Sequence, residues 1–107
     1  MKKIEGRFLR LLGEIQMKRK EFERAISSIS EAILILKEVG NPRLLWEAHT
    51  SLASVYDKLR RGSEAREQWG TAAEVIRGMA NGLSGRELRE GFLSAKPIRE
   101  ILVHAGC

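Results

Sequence analysis

Residues 12–36 read LGEIQMKRKEFERAISSISEAILIL, and residues 52–76 read LASVYDKLRRGSEAREQWGTAAEVI. After a shift of forty positions the chain coincides with itself at Leu12/Leu52, Lys18/Lys58, Ala25/Ala65, Ala32/Ala72 and Asn41/Asn81. Self-similarity at a fixed period indicates one supersecondary unit that is used more than once. We therefore predict repeat one at about residues 3–40 and repeat two at about residues 41–80.

Apolar residues recur every three or four positions, which is the period of one face of an α-helix. Four successive stripes follow this spacing: Ile4, Phe8, Leu11, Leu12, Ile15; then Phe22, Ala25, Ile26, Ile29, Ala32, Ile33, Leu36; then Leu44, Leu45, Ala48, Leu52, Val55, Leu59; then Ala65, Trp69, Ala72, Ala73, Ile76, Met79. No stretch alternates with period two. The sequence predicts an all-α fold with two helices in each repeat.

Turn and cap residues agree with these helices. Gly40 suits a helix end, Asn41 is a good N-cap, and Pro42 fits the first helical position. Ser63 is predicted to cap the fourth helix. Ser84, with a glutamate three residues later, has capping-box spacing and predicts a fifth helix. We expect capping helices at about residues 84–104, with Pro97 beginning the last one and Leu88 among the residues that fold back.

The small residues of both repeats have a common spacing. Gly13 and Ala25 lie twelve residues apart, as do Ala53 and Ala65, and we predict that these small residues let the paired helices cross closely. With Leu9, Leu12, Ile29 and Ala32 in the first copy, and Leu52, Tyr56, Trp69 and Ala72 in the second, this pattern resembles the tetratricopeptide repeat (TPR) family. It is similar to the long-repeat variety in arrays of large bacterial signalling proteins. The resemblance covers about residues 4–80, although Gln16 and His49 replace larger residues of the usual pattern.

The resemblance implies a single domain over residues 1–107. That domain would be an α-solenoid of two TPR-like antiparallel helix pairs with a helical C-terminal cap. It also implies protein or peptide binding on a concave face formed mainly by the first helix of each pair. Projected onto this chain, the concave candidates are Arg7, Arg10, Glu14, Met17, Glu47, Thr50, Ser54 and Asp57. Glu14 would repel a ligand carboxylate, so we expect no carboxylate clamp.

Basic residues cluster in the loop inside each repeat. Equivalent loops lie side by side in a stacked solenoid, which predicts one basic edge from Lys18, Arg19, Lys20, Lys58, Arg60 and Arg61. With the formal net charge of +5, this edge leaves nucleic-acid association open as an alternative function. No aromatic residue interleaves the clusters, so the usual stacking platform for single strands is missing.

Composition and motifs disfavour several other functions. The single cysteine, Cys107, precludes an intramolecular disulfide, and the longest apolar run, residues 32–36, is far too short to span a membrane. No phosphate loop, nucleophile motif or pair of metal ligands occurs. We expect a cytoplasmic protein that is not an enzyme and uses no cofactor or metal.

Two repeats are fewer than a stable stack usually needs, and the first helix has a broad apolar arc. Part of that arc should stay exposed, so we predict self-association, as a homodimer, through Ile4, Phe8 and Leu11. The sequence thus predicts a protein-interaction or scaffolding module that binds a protein or peptide partner. A basic nucleic-acid-associated protein, or a terminal fragment of a larger regulator, remains the alternative.

Overall fold

The computed structural model describes residues 1–106, which form six α-helices and no strand. The helices are α1 (Lys2–Lys18), α2 (Phe22–Val39), α3 (Pro42–Lys58), α4 (Gly62–Asn81), α5 (Arg86–Ser94) and α6 (Lys96–His104). The predicted all-α class is therefore confirmed. In the described part of the chain, no helix is both long enough and apolar enough to cross a membrane. Cys107, for which we predict no disulfide partner, lies outside the described residues.

The forty-residue offset recurs in the backbone. Both limits of α1 return in α3 forty residues later, and the starts of α2 and α4 are separated in the same way. The turns that follow α1 and α3 each contain a left-handed residue that is not glycine, Lys20 (φ 63°) and Arg60 (φ 58°). In both turns the N–H of this residue donates to the carbonyl oxygen of the residue three positions earlier. The N–H of the following residue donates to the carbonyl oxygen five positions before it, and all four N···O distances are 2.8–3.0 Å. This pairing is the Schellman motif, built twice.

Glycines let α1 and α2 approach closely along their antiparallel axes. A Cβ atom added to Gly6 would lie 2.6 Å from a methyl carbon of Leu36, and one added to Gly13 would lie 2.9 Å from Cδ1 of Ile29 and 3.3 Å from the Ala25 carbonyl oxygen. Helices whose ridges interdigitate this tightly need small residues at the crossing point. The predicted close crossing at Gly13 and Ala25 is confirmed.

The buried side chains form two clusters that meet at Tyr56. The first lies between α2 and α3 and includes Ala25, Ile29, Ile33, Leu36, Leu44, Ala48, Leu52 and Val55. The second joins α3, α4 and α6 through Ala53, Ala65, Trp69, Ala72, Ile76, Ile98 and Ile101. The α6 helix therefore packs against α4 with its apolar face, whereas α5 has no buried residue. Leu88 is 64% exposed, so the expectation that it folds back with the cap is wrong.

The predicted helix starts are partly confirmed. The Asn41 side chain accepts a hydrogen bond from the Leu44 N–H at 3.2 Å, and Gly40 adopts the left-handed conformation that ends α2. Two predicted serine caps are wrong. The turn places Arg61 at the N-cap of α4, so Ser63 already lies within the helix. Gly85, with φ 88°, redirects the chain one residue after Ser84 and becomes the N-cap of α5.

Candidate protein-interaction surface

The α1 helix turns its large apolar side chains away from the rest of the protein. Gly6 and Gly13 are its buried residues, whereas Ile4, Phe8, Leu11 and Ile15 are 62%, 61%, 51% and 55% exposed. Their 4-3-4 spacing places these four side chains along one face of the helix. We call them the α1 apolar stripe. It contains the three predicted self-association residues, and Ile15 extends it by one turn.

The stripe is large for the surface of a small protein. At these exposures its four side chains present roughly 400 Å² of apolar surface, within the range of the largest patch on a typical monomer. Burial of α1 against α2 at the two glycines explains this arrangement, because close contact there leaves no room for bulky residues on the inward face. The bulk of the helix's apolar surface consequently faces outward.

The predicted concave-face residues divide into two groups. Arg7, Arg10 and Glu47 line one cavity of about 280 Å³ together with Lys3, Asn41, Arg43 and Leu44. Arg10 donates to Glu14 at 2.6 Å, and Arg43 lies 3.6 Å from Glu47. This cavity is lined by four cationic side chains and one carboxylate.

The second group is engaged within the helices. Asp57 accepts a hydrogen bond from Trp69 Nε1 at 3.0 Å, and Met17 packs against the first buried cluster. The Thr50 and Ser54 hydroxyls donate to backbone carbonyls in the preceding turn. Sequence periodicity does not reveal these contacts, because each depends on a local hydrogen bond or on a neighbouring helix.

Of the six residues of the predicted basic edge, two have carboxylate partners. Arg61 donates through Nε to Glu64 at 2.6 Å, approaches Glu23 at 3.7 Å and lies 4.9 Å from the centre of the Tyr56 ring. The hydrogen bond with Glu64 raises the pKa of Arg61 and lowers that of Glu64. Arg19 lies 4.0 Å from Glu21.

The other four cationic residues of the basic edge have no carboxylate partner within residues 1–106. Within residues 1–106, Lys18, Lys20, Lys58 and Arg60 are exposed and have no carboxylate within 4.0 Å. The link from Arg61 to Glu23 connects the second basic loop to the start of α2, which follows the first.

His49 is buried between α2 and α4, with 6% of its surface exposed. Its Nδ1 lies 2.7 Å from Oε1 of Gln68, and because a carboxamide oxygen only accepts, Nδ1 donates. Nε2 is buried and has no hydrogen-bond partner among the described residues. Burial lowers the pKa of His49, the bond to Gln68 opposes this shift, and the Lys37 charge adds to it.

Within residues 1–106, no three histidine, cysteine or carboxylate side chains are grouped so that they could hold a metal ion. Comparison of the chain with protein-family models, characterised proteins and solved structures finds no match.

Proposed function

We propose that this protein is a helical protein-interaction module that binds a polypeptide partner through the α1 apolar stripe. The observation that carries the proposal is the 51–62% exposure of four large apolar side chains on a single helix face. The largest apolar patch on a soluble monomer is often functional, and the stripe is of that size. The partner that fits is another apolar helix face, because a straight stripe on a helix is complementary to a similar stripe.

The same proposal includes the architecture implied by the TPR resemblance. The packing of α2 against both α1 and α3, together with the forty-residue offset of the helix limits, supports an α-solenoid of two helix pairs. In such an array each pair covers one face of its neighbour, and within residues 1–106 no helix covers the α1 apolar stripe. The eight residues predicted for the concave face remain a second predicted contact region.

The available binding energy is sufficient for a specific contact. Removing roughly 400 Å² of apolar surface from water contributes about 10 kcal/mol before the costs of association. Those costs are roughly 4 kcal/mol or more, so burial of this face alone leaves at most about 6 kcal/mol, which corresponds to a Kd of tens of micromolar.

The test compares two exposed apolar positions on different helices. Phe8→Glu places a charge in the centre of the stripe, whereas Leu34→Glu changes an isolated leucine of α2 that is 66% exposed. The unsubstituted chain should co-purify with a partner from the native host, which is either another protein or a second copy of this chain. That partner should be lost with Phe8→Glu and retained with Leu34→Glu. Circular dichroism must show both variants folded. Identical retention by the two folded variants would exclude the stripe as the binding surface.

The second candidate is nucleic-acid association along the basic edge, favoured by the four cations without carboxylate partners. Substituting Lys18, Lys20, Lys58 and Arg60 together by glutamine should abolish retention on heparin while leaving the helical content unchanged. Binding to phosphates should also weaken steeply as salt rises, because each neutralised phosphate releases counterions. If the parent chain is not retained on heparin at low salt, this candidate must be dropped.

A further inference from the structure

We infer that the occupant of the α1 apolar stripe is a second copy of this chain, whose α1 lies antiparallel to the first across a two-fold axis. The inference rests on the proposed function and names its partner. The 4-3-4 spacing of the stripe is that of the apolar seam in a coiled coil. In antiparallel register, Phe8 packs against Leu11 of the second copy and Ile4 against its Ile15. A two-fold axis makes each contact occur twice, so the stripe is its own complement.

Charges beside the stripe complement each other in this register. Arg7 and Glu14 lie seven residues apart on the flank of α1 nearer α3, where Arg7 shares a cavity with Arg43 and Glu14 binds Arg10. The two-fold axis places Arg7 opposite Glu14 of the second copy, and Glu14 opposite its Arg7. Arg7 is exposed and has no carboxylate within 4.0 Å in residues 1–106. Glu14 has a second carboxylate oxygen besides the one that accepts from Arg10.

The parallel arrangement brings like charges together. Lys18 continues the stripe three residues after Ile15, so parallel helices would place Lys18 against Lys18 of the second copy. The basic loops at residues 18–20 would also meet, although each chain already has a formal net charge of +5. Antiparallel helices instead separate the two loops by about the length of α1, roughly 25 Å, which exceeds the Debye length at physiological salt. They place each loop beside Lys2 of the second copy, whose charge is paired with Glu38.

The buried area sets the expected strength. Two stripes with their flanking charges bury roughly 1,000 Å² in total, at the lower end of specific interfaces. We therefore expect a reversible dimer with a Kd on the order of micromolar to tens of micromolar.

Sedimentation of the parent chain between about 1 and 200 µM provides the first test. The parent and Leu34→Glu should sediment as a monomer–dimer mixture, and Phe8→Glu as a folded monomer. A parent chain that stays monomeric at 200 µM would overturn the inference. If the chain is monomeric but a different host protein binds it and is lost with folded Phe8→Glu, the proposed function stands and only the homodimer is refuted. Failure of the inference can therefore be told apart from failure of the proposed function.

The register has its own test, which uses two single variants. Arg7→Glu and Glu14→Arg each place like charges opposite each other in a homodimer, and each should weaken dimerisation roughly tenfold. Mixing the two variants restores opposite charges at both positions, so the mixture should form heterodimers with an affinity near that of the parent. A mixture that dimerises no better than the separate variants would refute the antiparallel register. Thermal melts of each variant ensure that the comparison is made between folded chains.

Discussion

Replacing Gly13 by alanine adds one methyl group where α1 packs tightly on α2. The new Cβ overlaps Cγ1 of Ile29 and lies 2.9 Å from its Cδ1 and 3.3 Å from the Ala25 carbonyl oxygen. Ile29 is 0% exposed, so its side chain cannot turn out into solvent to avoid the new methyl group. The carbonyl oxygen belongs to the α2 backbone and is equally constrained. The helices must separate, or Ile29 must leave its preferred rotamer.

The expected loss of stability in Gly13→Ala is worked out by comparison with a matched glycine, Gly70. Gly70 lies within α4, and a Cβ added there meets no atom within 4 Å. Both substitutions gain the same helix propensity, about 0.8–1 kcal/mol, because alanine is less flexible than glycine in the unfolded chain. Only Gly13→Ala incurs the overpacking cost, typically about 1–3 kcal/mol. Gly70→Ala should therefore stabilise the protein, and Gly13→Ala should be about 1–3 kcal/mol less stable than Gly70→Ala.

Urea and thermal unfolding, followed by circular dichroism at 222 nm, measure this difference. For a domain of this size, Tm of Gly13→Ala should fall roughly 5–15 °C below that of Gly70→Ala. Both proteins should be compared at one concentration, because self-association makes Tm depend on concentration. Equal stabilisation by the two substitutions would refute the close contact between α1 and α2.

Three further predictions concern single positions. Burial lowers the pKa of His49 from 6.5, so below about pH 6.5 the unfolded chain binds a proton that the folded chain does not. The stability that neutral His49 contributes is therefore complete above about pH 6.5 and is lost as the pH falls toward the pKa of the folded state. The fall in urea midpoint from pH 7.5 to 5.5 should consequently be smaller in His49→Leu, and an unchanged fall would contradict the burial. Lys20→Gly and Arg60→Gly should each stabilise the protein by about 0.5–1 kcal/mol in chemical unfolding, because glycine removes the strain of the left-handed backbone. Destabilisation by both substitutions would contradict that backbone conformation. Asn41→Ala removes the side-chain cap of α3 and should lower the free energy of unfolding by about 1 kcal/mol, whereas Ser63→Ala should change it by less than about 0.5 kcal/mol. Equal losses in the two variants would contradict the cap assignment.

Local sequence patterns were enough to predict the helices and their main crossing point. A 3.6-residue apolar period and caps such as Asn41 act within one or two turns, so neighbours along the chain suffice to predict them. The close crossing was equally readable, since Gly13 and Ala25 are small residues at a spacing that the second copy repeats as Ala53 and Ala65. Local chemistry was insufficient at the starts of α4 and α5. There the preceding turn, through Arg61 and Gly85, decided which residue became the N-cap.

How much of each helix face is covered depended on the tertiary structure. The small number of repeats predicted exposure at Ile4, Phe8 and Leu11, but not that Ile15 continues the exposed face or that Gly6 is buried opposite it. Likewise, His49 is buried because α2 and α4 close over it. Burial depends on residues that are distant along the chain and adjacent in space. For that reason, the full length of the α1 apolar stripe, from Ile4 to Ile15, became apparent only when all the helices were in place.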